Sequence, residues 1–389
     1  MARVNWDDLW LLDPTRRALA RRWGLVRRRW DWLCGSAALA FWLVAAARGQ
    51  PLATWLALRF GPGWPVAAVA ALVGALLVAL VRTAAAALVV LPTARAVGLV
   101  CRPPRAWLGD QVKAAAWFAL LAGLGAGGLA WLVTVSPDHF WIGAGLGAAA
   151  AAAATGALGP LWGHPGQYRP EPLPPAWAAR LAPLLDRWAG GARAQVLPVG
   201  RDTRLANALA AVRRGHVEVV VTDTLLDVLP PAELAAVVAH ELAHLRLRHP
   251  GRGLVVAAAV SGVMVAAAGR LATVIPPPFP AWGLWGRFGL LVVALYLAAW
   301  PAAAWVSRRA ESAADALAVT MTGDPWPLAR ALARLADANL TPAGDRGLAS
   351  WLGTHPTLDR RLVAAIPGLA EGFAPRPKPC RTAGERAKL

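Results

Sequence analysis

Charge is scarce in this chain, and cysteine is scarcer still. Only 16% of the residues are charged, against about 25% in an average soluble domain, while 57% are hydrophobic. That deficit argues against a chain that lives wholly in water. Acidic residues are the scarcer sign: 22 Asp and Glu stand against 40 Lys and Arg, a formal net charge of +18. Such an excess suits either nucleic acid or an anionic lipid surface. The long apolar runs choose membrane lipid and exclude a nucleic-acid partner. The three cysteines, Cys34, Cys101 and Cys380, lie far apart and form no CxxC pair. This removes both a cysteine-bound zinc site and a disulfide framework. Within the apolar runs the only charged residues are Arg48, Arg82, Arg270 and Arg287. That argues against a transporter, whose spans carry several buried charges.

What the chain has in quantity is apolar sequence. A run of about 20 such residues crosses a bilayer as a helix. Candidates occur at 33–49, 64–91, 114–135, 139–161, 253–275 and 284–306. The second is long and contains Arg82, so a tilted helix and one broken near that arginine are both open. The third and fourth are rich in Gly and Ala, as suits close helix packing in lipid. The basic segments set the orientation. Residues 1–32 hold seven arginines from Arg16 to Arg29, and the loop 92–113 holds Arg95, Arg102, Arg105 and Lys113. The loop 136–138 and the Pro-rich turn near 276–283 hold neither Lys nor Arg. This pattern predicts about six crossings, in the cell membrane, with both termini and both large polar regions in the cytoplasm.

The expected organisation is therefore a basic juxtamembrane segment, partly helical, over 1–32, and about four membrane helices over 33–161. A polar insert follows over 162–252, then a membrane hairpin over 253–306 and a second polar region over 307–370. A basic, Pro-rich and disordered tail occupies 371–389. Within the insert, 176–189 reads as an amphipathic helix, while "AQVLPVG" (194–200) and "HVEVVVTD" (216–223) read as strands. "LPPAELAAVVAHELAHLRLRH" reads as a helix, with Pro231 in its first turn and Glu233 at the positive end of its dipole.

That helix carries the chemistry. His240 and His244 lie four apart, so one face presents two imidazoles side by side. This suits two ligands of a tetrahedral zinc ion. Glu241 sits at the edge of the same site, where a carboxylate can take a proton from the attacking water and pass it to the leaving amine. His249, five positions beyond His244, falls on another face of a continuous helix and reads as an interfacial residue rather than a ligand. A catalytic zinc needs a third protein ligand. "SRRAESAADALAV" (307–319) continues the last apolar span and sets Glu311 and Asp315 on one face. One carboxylate can bind metal while the other orients an imidazole. The competing reading is a solvated acid pair balancing Arg308 and Arg309. The hairpin between His244 and Glu311 leaves and returns on one side of the membrane, so both halves of the site can meet there.

Together these segments resemble the membrane zinc metallopeptidases of the HtpX and type I CAAX prenyl protease (Ste-type) family. "NALAAVRRGHVEVVVTDTLLDVLPPAELAAVVAHELAHLRLRH", "ESAAD" and "THPTLDRRL" (354–362) match that pattern in order, over roughly 195–365. The resemblance implies a mainly α, polytopic membrane protein with a cytoplasmic, zincin-like α+β peptidase domain. It implies one zinc ion per chain on His240, His244 and Glu311, with Asp315 behind the ligands and Glu241 as general base. It places Asn207 and His355 near the scissile carbonyl, Arg361 in support of the site or of the peptide, and the strand near 217–221 as the edge that pairs with extended substrate. Peptides or membrane proteins are the implied substrates. Four candidate spans before the zinc motif put the chain between the two branches of the family. A non-catalytic zinc-binding membrane scaffold or receptor is the alternative, and an intact Glu241 speaks against it. Purified protein should hold about one tightly bound zinc per chain. Elemental analysis should find that zinc lost in His240→Ala.

Overall fold

A computed structural model describes residues 13–61, 63–162, 168–213, 215–276, 283–341 and 353–365. The expected disordered tail and most of the Pro-rich turn near 276–283 lie outside these residues. The first helix, α1 (Pro14–Phe60), is started by Asp13, whose carboxylate accepts from the backbone N–H groups of Thr15 and Arg16 at 2.8 and 3.4 Å. It runs unbroken through the basic segment and the 33–49 span, which the sequence reading had separated. Arginine and alanine are strong helix formers, so the charges mark a change of surroundings and not the end of a helix. The next helix, α2 (Trp64–Ala96), passes Arg82 without a break, which decides between the two readings of that span. Then come α3 (Pro104–Val135) and α4 (Phe140–Trp162).

After α4 the chain enters the polar insert with β1 (Glu171–Pro172), α5 (Pro175–Ala189), β2 (Arg193–Leu197), β3 (Ala208–Arg213) and β4 (His216–Thr222). The short α6 (Asp223–Val228) leads to α7 (Pro231–Arg246), the histidine helix. The hairpin is α8 (His249–Val274) and α9 (Leu284–Thr322), and α10 (Pro325–Ala338) and α11 (Leu358–Ala365) complete the described chain. As expected, α9 continues from the last apolar span through Glu311 as one helix.

Four described helices, α2, α3, α8 and α9, are long and apolar enough to cross a membrane. The apolar part of α4, Phe140–Gly156, is shorter, and α1 is not among the four. Val81 and Leu88 on α2 are 71% and 79% exposed. Such residues on a long apolar helix face lipid, since water would leave a large uncovered apolar patch. With no hydrophobic drive between helices in lipid, close packing must hold them together. Small residues supply it. Ala115, Ala119, Gly123 and Gly127 are buried every fourth position along α3. A Cβ added at Gly127 would lie 2.8 Å from the Cβ of Ala68 on α2. On α4 and α8, Gly145 and Gly262 face each other: a Cβ on Gly145 would lie 2.7 Å from the carbonyl oxygen of Gly262.

The sheet has the order β1-β2-β4-β3, with β2 parallel to β4 and β3 antiparallel to it. This corrects the expectation for 217–221. That strand is β4, which lies between β2 and β3 and has both edges paired. The outer strand is β3, and its Ala-rich sequence has little intrinsic strand preference. Behind the sheet, α7 packs against β3, α9 and α10. The core there includes Val219, Val221, Leu234, Val238, Leu242, Ala314, Ala318 and Leu328. The loop between α2 and α3 is tied to the segment before β3. Leu99 carbonyl oxygen accepts from Thr203 Oγ1 at 2.9 Å and from Arg204 N–H at 3.2 Å, and Asp202 carbonyl oxygen accepts from Cys101 N–H at 3.0 Å.

Gly145→Val should force α4 and α8 apart and cost about 1–3 kcal/mol, as overpacking does elsewhere. Thermal inactivation in detergent should show the loss, and Gly147→Ala, where a Cβ meets nothing within 4 Å, should not.

Candidate metal centre

α7 begins at Pro231, where a proline costs no hydrogen bond, and carries its two histidines one turn apart. His240 is buried and His244 half-buried. Their Nε2 atoms are 3.1 Å apart. From the facing helix α9, Glu311 brings Oε2 to 3.6 Å from His240 Nε2 and Oε1 to 3.7 Å from His244 Nε2. Ligand bonds of about 2.0–2.1 Å in a tetrahedral zinc site put donor atoms about 3.3 Å apart. The two imidazole nitrogens are close to that separation, and with one carboxylate oxygen of Glu311 they form a set of donors all within 4.8 Å of one another, near enough to converge on one ion. Among the described residues this is the one three-residue group of His, Cys, Asp or Glu donors found close enough together for a metal ion.

The charge balance points the same way. Glu241, Glu311 and Asp315 all act on the guanidinium of Arg361. Three carboxylates against one guanidinium leave an excess of two negative charges when all are ionised, which a divalent cation offsets. Burial is the main cause that pushes the Glu241 carboxyl up to about 7, and the charge of Glu311 adds to it. Burial also pushes the His244 imidazole down to about 4, which keeps its lone pair free to bind metal.

Behind the donors, Asp315 is 2% exposed and sets Oδ1 2.8 Å from His240 Nδ1. The contact is short but poorly aligned for a hydrogen bond. Arg361, from α11, donates to both oxygens of Asp315, Nε at 2.9 Å and Nη2 at 2.7 Å, and its Nη2 lies 3.6 Å from Glu311 Oε2. His355 reaches Glu311 Oε1 with Nδ1 at 3.2 Å while its side chain stays 69% exposed. That contact holds the His355 imidazole above its ordinary value. Glu241 does not join the donor triangle. Its carboxylate is turned to the backbone N–H of Ala210 on β3. Asn207 precedes that strand, with its Oδ1 turned to the Ala208 N–H at 3.0 Å. The structure thus brings His240, His244, Glu311, Asp315, His355 and Arg361 together, and leaves Asn207 about 10 Å along the strand from Ala210, at about 3.4 Å per residue.

Two features at the site escaped the sequence reading. One is β3. The other is His249, whose Nδ1 lies 3.0 Å from His244 Nδ1 instead of facing away. The helix is not continuous there: α7 ends at Arg246, and Arg248 has φ +56, so the chain turns before α8 begins. Pro250 was the signal, because the residue before a proline disfavours continued helix.

Residues 180–366 match the family described as Peptidase family M48. A protein named Protease HtpX homolog from Acidiphilium cryptum is 35% identical over 218 residues, covering 50% of this chain and 71% of that one. Another of that name from Trichormus variabilis is 30% identical over 292 residues, covering 67% of this chain and 96% of its own. The chain belongs to peptidase family M48. It is a multi-pass membrane metallopeptidase of the HtpX type, and the reading as a non-catalytic scaffold is not favoured. The crystal structure of S. mikatae Ste24p superposes with a TM-score of 0.69 at 19% identity, over 91% of this chain and 89% of that one. At that identity the likeness speaks for the fold alone.

In this M48 peptidase Arg361 is the counter-charge for two buried carboxylates. Removing one partner of a buried pair costs about 3–5 kcal/mol. Arg361→Gln should therefore lower the thermal midpoint of the metal-free protein strongly, and added zinc should recover part of the loss by supplying positive charge.

Proposed function

We propose that this protein is a zinc-dependent endopeptidase that cuts extended segments of membrane proteins or peptides at the cytoplasmic face. The convergence of His240, His244 and Glu311, one donor atom from each within 4.8 Å of the others, carries this reading. Bound there, zinc would act as a Lewis acid that acidifies water and polarises the peptide carbonyl.

The chain's own groups do the rest. Glu241 takes the proton of the attacking water and delivers it to the leaving amine. A carboxyl pushed up to about 7 is matched to both transfers near neutral pH. Asn207 and His355 flank the scissile carbonyl and donate to its developing charge. Arg361 holds Asp315 and Glu311 in place from behind. Substrate adds to β3 as a further strand. The backbone of Asn207 is turned towards β4, with its carbonyl accepting from Thr222 N–H at 2.9 Å. Alternation then turns the N–H and C=O groups of Ala208, Ala210 and Val212 to the open edge. Glu241 meets Ala210 on that edge, so the general base stands beside the docked peptide.

The orientation rests on the positive charges. The basic loop between α2 and α3 bonds to the peptidase part through Leu99 and Asp202. That puts the peptidase part on the side of the membrane where Lys and Arg accumulate. A site that takes extended chain beside a membrane suits quality control of membrane proteins. With α1 and α4 as additional spans, the chain crosses about six times.

Glu241→Gln is the decisive variant. It should keep its zinc while cleavage of a loosely folded membrane reporter falls by about 10²–10⁴-fold. Cleavage at the wild-type rate would overturn the assignment.

A further inference from the structure

A neutral imidazole that binds metal through Nε2 carries its proton on Nδ1. Such ligands are held by an acceptor placed opposite that proton. For His240 the group in that place is Asp315. For His244 no carboxylate among the described residues is found at Nδ1. The group facing its Nδ1 is Nδ1 of His249, at 3.0 Å, with ring centroids 5.0 Å apart and planes inclined at 69°. Two like nitrogens at that distance share one proton, so one must donate and the other accept. His244 must donate from Nδ1 if its Nε2 lone pair is to bind the metal.

We propose that His249 is a positioning residue for the metal centre. Its unprotonated Nδ1 accepts the Nδ1–H of His244, fixes that ring's tautomer and aims Nε2 at the zinc. The proton of His249 itself then resides on Nε2. Both rings stay neutral, so the contact needs no titration. The inference rests on the zinc reading given above.

The backbone is built for this contact. Arg248 is one of two non-glycine residues with positive φ among those described, a conformation that residues other than glycine rarely adopt. It makes His249 the first residue of α8 and returns the ring to the site. The two histidine ligands therefore have unlike support. His240 is backed by an anion that Arg361 holds, and His244 by a neutral ring on a membrane helix. The neutral support leaves more of the cation's charge for substrate.

The test is zinc affinity of the full-length protein in detergent, measured by competition with a chromophoric chelator. His249→Asn sets an oxygen where Nδ1 stands, whereas His249→Gln sets it one bond further out, and His249→Leu has none. Asn should bind zinc nearly as wild type does, while Gln and Leu should bind it about 10–100-fold more weakly. Metal-free thermal midpoints should stay close to wild type. Cobalt(II) absorption bands should shift in the Gln and Leu variants alone. If all three variants bind zinc like wild type, the proposal is wrong and the zinc reading stands. If Leu fails to fold, equal affinities for Asn and Gln overturn it. If wild type itself binds no zinc, the zinc reading fails and this inference falls with it.

Discussion

Asp315 is the point from which the site is held. Its carboxylate is almost wholly buried, in contact with His240 of α7 and forked by Arg361 of α11, while it stands on α9 itself. Taking such a group out of water costs several kcal/mol, and only paired charge and hydrogen bonds offset that cost. Three helices from distant parts of the chain are thereby fixed against one another. Leu234 and Val238 of α7, Ala314 of α9 and Leu362 of α11 belong to one buried apolar core, so the same three helices are also held by the exclusion of water. Shifting any one helix would uncover both charge and apolar surface. The rigidity that a metal site needs therefore comes from the least tolerant contact in the fold.

Much of this was legible because helices obey a fixed period. His240 and His244, and again Glu311 and Asp315, are four apart, and that spacing alone puts each pair on one face. The expectation that the last apolar span continues through Glu311 rested on the same rule, and α9 runs to Thr322. The rule also misled. His249 was placed by counting along a helix that ends at Arg246. Strands were legible where β-branched residues cluster, as in His216–Thr222, and not in "ALAAVR", where alanine says nothing about strand. The edge role that the resemblance implies was consequently given to β4, because β3 was not read as a strand. The amphipathic helix α10 also went unread, although Leu328, Leu332 and Leu335 recur at helical spacing with Arg330 and Arg334 between them.

The membrane part follows different physics from the peptidase part. Around the sheet, large side chains such as Leu225, Leu234 and Val219 are fully buried, and exclusion of water drives the packing. Among the long apolar helices the buried residues of α3 are alanine and glycine, and large side chains point outward. Lipid already solvates leucine, so only close backbone approach distinguishes a neighbour from a lipid tail. The bonds from Leu99 and Asp202 join these two regimes next to the strand that leads into the site.

One consequence concerns height. Trp305 and Val306 are the last large apolar side chains exposed on α9 among the described residues, and Glu311 follows on the same helix. At 1.5 Å of rise per residue, the interval is about 8 Å. Pro301, the one proline inside α9, lies before that interval and leaves it straight. The helix acts as a gauge fixed to the bilayer. On the proposed peptidase reading, a bond is selected by its altitude above the lipid before its neighbouring side chains are read.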